Sequence, residues 1–586
     1  MVTLPAELAR AAPAYVRWLR NLVRESELWL LFVAVVLGLF AGGATHLLQE
    51  ASFKAHEWLF GVRFGERLSS EPYVPLWRLI WLPVGGLVLG GLTLLWKRRR
   101  PAAIVDPVEA NALRGGQMSL IDSLFLTAQT LISNGFGASV GLEAAYAQIG
   151  AGAASAAGIK LQARRSDLRI LTGAGAGAAI AAAFGAPLTG AFYAFELIVG
   201  SYTVANVAPI VGASLAGYLM GQALGGPPNL IEAQGVNLGP EDYLICAGLG
   251  VIAAGAGVIV MRMVNLVEVQ TNRGLPRWLQ PAFGGLVVAA IAAFSPEVLA
   301  SGHGALERHL ATMATLKALA IIFVLKAVAS AVSLGSGFRG GLFFASLFLG
   351  ALLGQIYWIV LNLMGVHSLP DSTVTALVGM AAMAAGIVGG PLTMSFLVLE
   401  TTGDFPLAGA TLAAALVCSI MVREFFGYSF STWRFHLRGE TIRSAHDIGR
   451  IRSLTAGSMM RKNVPTAPAA MTVAEFRRRF PLGSTQRVIV TDEQEHYYGL
   501  VLTADAYAAS VDAEKPVADL ARQCGASLRP AADIRTVMAA FEKSGGDELA
   551  VTDPDGKVLG LVTETYAARR YAEELEKTRQ ELTGES

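Results

Sequence analysis

The chain has 586 residues, of which 53% are hydrophobic and only 16% charged, with a formal net charge of +1. A soluble chain of this length would carry more charge and would lack a succession of apolar runs of near-bilayer length, so a soluble globular fold is excluded, and the near-neutral balance gives no electrostatic case for a nucleic-acid partner. Cys246, Cys418 and Cys524 are isolated and the eight histidines show no ligand-like pairing, which argues against a disulfide framework or a metal site.

Residues 1–27 carry Glu7, Arg10, Arg17, Arg20, Arg24, Glu25 and Glu27 among apolar positions, and no signal-peptide cleavage pattern follows. The segment reads as an amphipathic helix lying on the cytoplasmic face. Membrane-type apolar runs follow at 28–48, 75–95, 173–199, 202–222, 243–268, 283–300, 317–335, 342–365, 372–400 and 407–424. Lys97 to Arg100, directly after the second run, is a positive-inside mark that puts that end on the cytoplasmic side. Several runs hold a Gly-Gly pair or a proline, and such breaks survive at membrane depth only where protein or an aqueous cavity lines them. Broken helices are therefore expected. Lys326 stands alone in one apolar run, either snorkelling or neutralising a buried partner.

From about Gly439 charges become frequent, and 436–454 reads as a linker. Two similar segments follow. Arg487 to Asp492 then Tyr498 to Val501, and Glu548 to Asp553 then Val558 to Thr563, each read as two strands around an acidic turn. With the helical stretches that precede them, they resemble a tandem pair of cystathionine-beta-synthase-type (CBS) domains over 455–510 and 516–570, with a charged helical tail at 571–586. Such pairs often regulate by binding an adenine nucleotide between their halves. The resemblance implies that Asp553 and Thr563 lie near ribose-contacting places, although a Thr or Asp at a strand end also serves as a turn or cap residue.

The membrane part repeats itself. Gly185-Ala186-Pro187-Leu188-Thr189 followed by Glu196 recurs 204 residues later as Gly389-Gly390-Pro391-Leu392-Thr393 followed by Glu400. A weaker repeat at a spacing of 200 relates Gly141-Leu142-Glu143 and Gly150-Ala151 to Gly341-Leu342-Phe343 and Gly350-Ala351. Two related halves with interrupted helices are how many membrane proteins place an ion site near the bilayer midplane, which points to a small charged cargo. Glycine beside a helix start lets backbone come close to a ligand, and the free N–H groups there suit an anion.

In this order these phrases, with Gly335-Ser336-Gly337, Gly340-Gly341-Leu342-Phe343 and Tyr428-Ser429, resemble the CLC chloride channels and proton-coupled anion transporters over about 28–435. The resemblance implies an all-α polytopic membrane fold with inverted repeats, followed by the cytoplasmic α/β CBS pair, assembled as a homodimer with one anion pathway per subunit and both termini cytoplasmic. Glu143 would be the gating glutamate, whose ionised side chain occupies an anion site and whose protonated form withdraws. Gly141, Leu142, Phe343, Phe344 and Tyr428 would line the anion pathway, Tyr428 through its hydroxyl and the Phe343 and Phe344 segment through its amides.

The departures from that family matter equally. Where a hydroxyl is expected near the central anion, the chain has Ala103-Ile104-Val105-Asp106-Pro107; Ile104 and Val105 offer none, and Asp106 either caps the helix that Pro107 begins or faces the pathway. The arginine expected before the gate is Leu142. The internal proton-relay position is Leu197, which cannot carry a proton, next to Glu196, which either pairs at a helix end or serves as a displaced relay. Leu197 favours gated conduction of chloride or another small inorganic anion; proton-coupled chloride/anion antiport, with Glu143 as external gate and proton acceptor, is the alternative. A membrane scaffold with a degenerate pore is a third reading, opposed by Glu143 and Tyr428. No membrane-embedded Ser/His/Asp or metal-ligand arrangement supports an enzyme, and no cofactor is required beyond the optional nucleotide.

Overall fold

The computed structural model describes residues 27–63, 65–226, 238–366, 369–437 and 454–583. The amphipathic helix expected over 1–27, except its last residue, and most of the 436–454 linker lie outside the described residues. The chain divides into two compact units, Met1–Asp447 and Ile448–Ser586.

In the first unit, among the described residues, seven helical segments are long and apolar enough to cross a bilayer. The chain is therefore a multi-pass membrane protein. Two of the apolar runs are not single spans. The run 173–199 is cut where Arg165–Phe184 ends on left-handed Gly185 and Pro187 opens the short helix Pro187–Tyr193, which continues into a π turn over Ala194–Val199. The run 372–400 breaks in the same way: Ser372–Val388 ends on left-handed Gly389, and Pro391 opens Pro391–Thr402. Glycine past a helix end and proline at the next helix start make the break local and sharp. The first helix runs on to Phe60 rather than stopping at 48, because Ser52 and His56 find partners inside the unit on Asn134. The run 283–300 is helical only over Gln280–Ala292, since Pro296 opens a separate 3-10 turn.

The two halves of this unit are tied together by reciprocal hydrogen bonds. Glu196, late in the first half, accepts from the backbone N–H groups of Leu392 and Thr393 and from the Thr393 hydroxyl at 3.0, 2.8 and 2.6 Å. Glu400 does the same for Leu188, Thr189 and the Thr189 hydroxyl at 2.7, 2.8 and 2.7 Å. Each half thus caps the other half's Pro-Leu-Thr helix. A second reciprocal set joins Gly141 and Gly341 as an antiparallel bridge, N–H to C=O in both directions at 3.1 and 3.3 Å. Beside it, Ser139 N–H donates to Ser333 Oγ and Arg339 N–H to Ser133 Oγ. Equivalent residues contacting each other across both seams is the signature of halves related by a two-fold pseudo-axis.

Close backbone packing follows the same symmetry. A Cβ on Gly150 would lie 2.2 Å from Gly175 O, and one on Gly350 would lie 2.3 Å from Gly379 O. Small residues at these crossings allow contact where lipid gives no hydrophobic drive between helices.

The second unit has two three-stranded sheets of identical order. Strands β1 Thr466–Pro468, β2 Arg487–Thr491 and β3 Tyr497–Leu502 form one; β4 Ser527–Leu528, β5 Glu548–Thr552 and β6 Val558–Thr563 form the other. In each, the first pairing is parallel, the second antiparallel, and the register shifts at the last residue of the middle strand. Each sheet packs on its own small core, around Phe476 in one half and Phe541 in the other.

The seam predicts its own sensitivity. Thr189 is fully buried, so Glu400→Ala strands its amide and its hydroxyl out of reach of water. We expect it to cost about 3 kcal/mol, read as a lowered thermal midpoint of the detergent-purified protein, with Glu400→Gln intermediate. An unchanged midpoint would mean that the cap does not hold the halves together.

Candidate functional site

The first seam builds a site. Gly141 and Gly341 precede helices Glu143–Lys160 and Phe343–Leu363, so two helix N-termini meet across a glycine bridge. Free amides and helix dipoles at both starts favour negative charge between them. Glu143 is the first residue of its helix and is 4% exposed. Its carboxylate lies against the bridge: a Cβ on Gly141 would meet Oε2 at 1.9 Å, and one on Gly341 would meet it at 3.7 Å. Glycine at 141 leaves the carboxylate its place against the bridge; a Cβ there would push it aside. The N–H groups of Glu143 itself and of Phe344 lie close to the carboxylate, yet Oε2 is buried without a hydrogen-bond partner among the described residues.

Beside the carboxylate lies a cavity of about 50 Å³, room for a few waters. Leu142, Glu143, Tyr146, Phe184, Arg67 and His303 are among its walls. Phe184 and His303 also line a second, apolar cavity with Phe344 and Glu307. Aromatic rings separate the two: Phe184 lies 5.0 Å from the Phe343 ring, and His303 stacks on Phe344 at 3.3 Å. Phe344 lines the second cavity, while Phe343 packs its ring between Phe184 at 5.0 Å and Tyr193 at 6.3 Å.

The wall carrying His303 is held by Lys326. This lysine is fully buried and does not snorkel; Nζ donates to Val298 O at 3.1 Å and Ala300 O at 3.0 Å. Ala300 is in the left-handed region at φ 49°, unfavourable for a residue with a Cβ, and Lys326 Nζ pins its carbonyl there. The turn then presents Ser301, whose hydroxyl bonds His303 Nδ1 at 2.6 Å.

The remaining sequence-derived residues gather elsewhere. Asp106 is the N-cap of Pro107–Arg114, its Oδ1 accepting from Glu109 N–H at 2.9 Å. Val105 C=O accepts from Gln148 on the Glu143 helix, and Val105, Tyr193 and Leu197 pack on one apolar cluster. Ile104 is half-buried just before them. Glu196 is placed at a helix end, accepting from the start of the Pro391 helix. Tyr428 follows the end of Phe405–Phe425, half-buried, with its ring 5.6 Å from Trp433. The adjacent Ser429 and Leu197 both approach Gly389. In the second unit, Asp553 Oδ1 accepts from Asp555 and Lys557 N–H in a tight turn, and Thr563 Oγ1 accepts from Tyr566 N–H at a helix start. Among the described residues, no group of three or more His, Cys, Asp or Glu could hold a metal ion.

Sequence reasoning missed Arg67, His303 and Tyr146. Tyr146 had a signal, since it lies one turn after Glu143 on the same helical face; Arg67 comes from a distant loop and His303 from the start of a distant helix, and neither had one.

Known proteins match this architecture. The voltage gated chloride channel family matches residues 85–423. The voltage-gated ClC-type chloride channel ClcB of Escherichia coli O17:K52:H18 is 28% identical over 402 residues, 67% of this chain and 95% of that protein. The crystal structure of a slow cyanobacterial Cl-/H+ antiporter superposes with a TM-score of 0.61 at 21% identity, over 70% of this chain and 97% of that one. A eukaryotic CLC transporter does so with a TM-score of 0.56 at 18% identity, over 94% and 98%. These two likenesses establish the fold.

If capping is the work of Asp106, Asp106→Asn leaves the thermal midpoint nearly unchanged and Asp106→Ala lowers stability by about 1 kcal/mol. Equal loss in both variants would point instead to its charge.

Proposed function

The chain belongs to the voltage-gated chloride channel family and transports anions across the membrane, and on that premise we propose that it exchanges chloride, or another small inorganic anion, for protons. Glu143 is gate and proton acceptor in one. The observation that carries this reading is its buried carboxylate, set between two helix N-termini with one oxygen unpartnered among the described residues and open to a small cavity.

The amides at the two helix starts beside the seam, those of Glu143 and Phe344, suit a carboxylate or a halide, and only one can occupy them. When an anion takes the amides, the displaced carboxylate is stabilised by taking a proton; when it loses that proton, it competes for the amides again. Neutral backbone donors bind an anion firmly enough to admit it and weakly enough to release it. Phe343, Phe344 and Tyr428 line the path in this proposal, and the Ile104 to Asp106 stretch borders it without a hydroxyl at 104 or 105.

Uncoupled conduction, the first expectation, rested on Leu197. The comparison with a Cl-/H+ antiporter favours the alternative, exchange. Because Leu197 carries no proton and Glu196 is a cap, inward proton passage in this reading runs through water rather than through an acid at that place.

The proposal extends to assembly and regulation. A homodimer would carry one pathway per subunit over 28–435, with both termini cytoplasmic. The repeated sheets support reading 455–510 and 516–570 as a tandem CBS pair after the 436–454 linker and before the 571–586 tail, with adenine nucleotide as an optional ligand. Asp553 and Thr563 would meet a ribose only by loosening the turn and cap they now serve.

In sealed liposomes under a chloride gradient, with valinomycin and potassium setting the voltage, chloride movement should drive opposite proton movement that reverses with the gradient. Glu143→Gln should keep chloride flux and lose proton coupling. Chloride flux without proton movement in the wild type would restore the channel reading. Separately, ATP titrated calorimetrically into the full-length purified protein should give saturable heat that Asp553→Ala reduces; no heat would leave the second unit a structural module.

A further inference from the structure

The residue before Glu143 is Leu142, so the gating helix brings no cation of its own to the cavity. Among the residues lining that cavity, one Arg or Lys is present: Arg67, contributed by the loop that leads into the 3-10 turn Leu68–Ser70. Its side chain is 25% exposed, so it reaches both solvent and the chamber that holds the buried carboxylate. Arg67 Nε lies 3.4 Å from Glu307 Oε1, whose own side chain is 42% exposed and lines the neighbouring apolar cavity. A single contact through Nε leaves the terminal amino groups as donors for a ligand. The guanidinium also lies over the Phe53 ring at 5.7 Å, which orients it without neutralising it.

Some other donors at this rim are already engaged. The first amides of the His303–Ala311 helix, Gly304 and Ala305 N–H, donate to Ser69 Oγ at 3.1 and 3.3 Å. His303 Nδ1 is bonded to Ser301.

We propose that Arg67 is the recruiting site for the transported anion, a guanidinium that binds it at the cavity rim before it meets Glu143, with Glu307 as the carboxylate that the arriving anion displaces. The inference rests on the anion-transport reading and adds a specificity-determining residue to it. In the resting state the carboxylate of Glu307 screens the guanidinium; an anion at the rim exchanges for it and is held one step from the helix N-termini. A cation at the mouth of a low-dielectric cavity raises local anion concentration and the rate of capture, and it does so less at high ionic strength.

A purely structural ion pair and a recruiting site predict different signs. If the pair only braces the rim, Arg67→Gln and Glu307→Gln both weaken transport through the same loss of stability. If Arg67 recruits, Arg67→Gln raises the half-saturating chloride concentration about tenfold with little change in maximal rate. Glu307→Gln lowers it about threefold, and Arg67→Lys recovers most of the loss. The measurement is initial chloride flux against chloride concentration in liposomes, gluconate holding ionic strength constant, with thermal midpoints of each variant alongside. Chloride binding by calorimetry to the same detergent-purified variants separates the two levels. No flux in the wild type would defeat the transport reading, and the calorimetric shift in Arg67→Gln would still decide recruitment. Normal wild-type flux with Arg67→Gln indistinguishable from it, or both variants impaired in step with their midpoints, would overturn the inference.

Discussion

The structure depends on the rule that a backbone N–H at membrane depth must find a partner within the protein. Breaking the helices at Gly185 and Gly389 exposes fresh amides at Leu188, Thr189, Leu392 and Thr393, where no lipid can satisfy them. The solution is mutual: the acid of each half reaches across to the broken helix of the other. Neither half is complete alone, because each leaves two orphan donors that only the other half's glutamate can accept. The repeat is therefore the condition under which the breaks are tolerated, and the breaks are what bring helix ends to the middle of the protein.

Against that background Glu143 stands apart by chemistry rather than by residue type. Glu196 and Glu400 each accept three hydrogen bonds, and both sit where moving them would strand buried donors. Glu143 occupies a comparable helix-end position, yet its Oε2 has no hydrogen-bond partner among the described residues and a cavity opens beside it. A fully satisfied carboxylate is fixed; one left short of a partner has somewhere to go and something to gain by going. In the proposed exchange, the difference between structural and mobile acid is set by how many donors each one serves.

Much of this was legible in the sequence, and the reasons are local. Gly followed by Pro two residues later marks a break whatever the rest of the fold does, so the interruptions at 185–187 and 389–391 could be anticipated. The repeated Glu143 and Phe343 phrases marked the first seam because glycine beside a helix start has few other uses at that depth. What could not be read was which distant partner each group would find. Glu196 could be read as pairing at a helix end or as a displaced relay, but the Thr393 amide it accepts from lies 197 residues away. Lys326 could be read as snorkelling or as neutralising a buried partner, because its apolar helix is visible in sequence and the carbonyls of Val298 and Ala300 that hold it are not. Arg67 carried no signal, since a charged residue in a loop is the expected condition of loops.

The arrangement carries a cost that identifies where the fold has been shaped by something other than stability. A buried acceptor without a donor costs about 1–3 kcal/mol, more if charged, and the left-handed Ala300 adds backbone strain within reach of the same cavity. The fold could have spent a hydroxyl on Glu143 as it spends Thr189 on Glu400 and Thr393 on Glu196. It places Gly141 and Gly341 there instead, residues with no side chain to bond the acid or to block it. Satisfying the carboxylate would stabilise one position and close the amides to any other anion. In the proposed exchange, leaving it unsatisfied keeps two anions in competition for one set of donors, and that competition is the physical content of a gate.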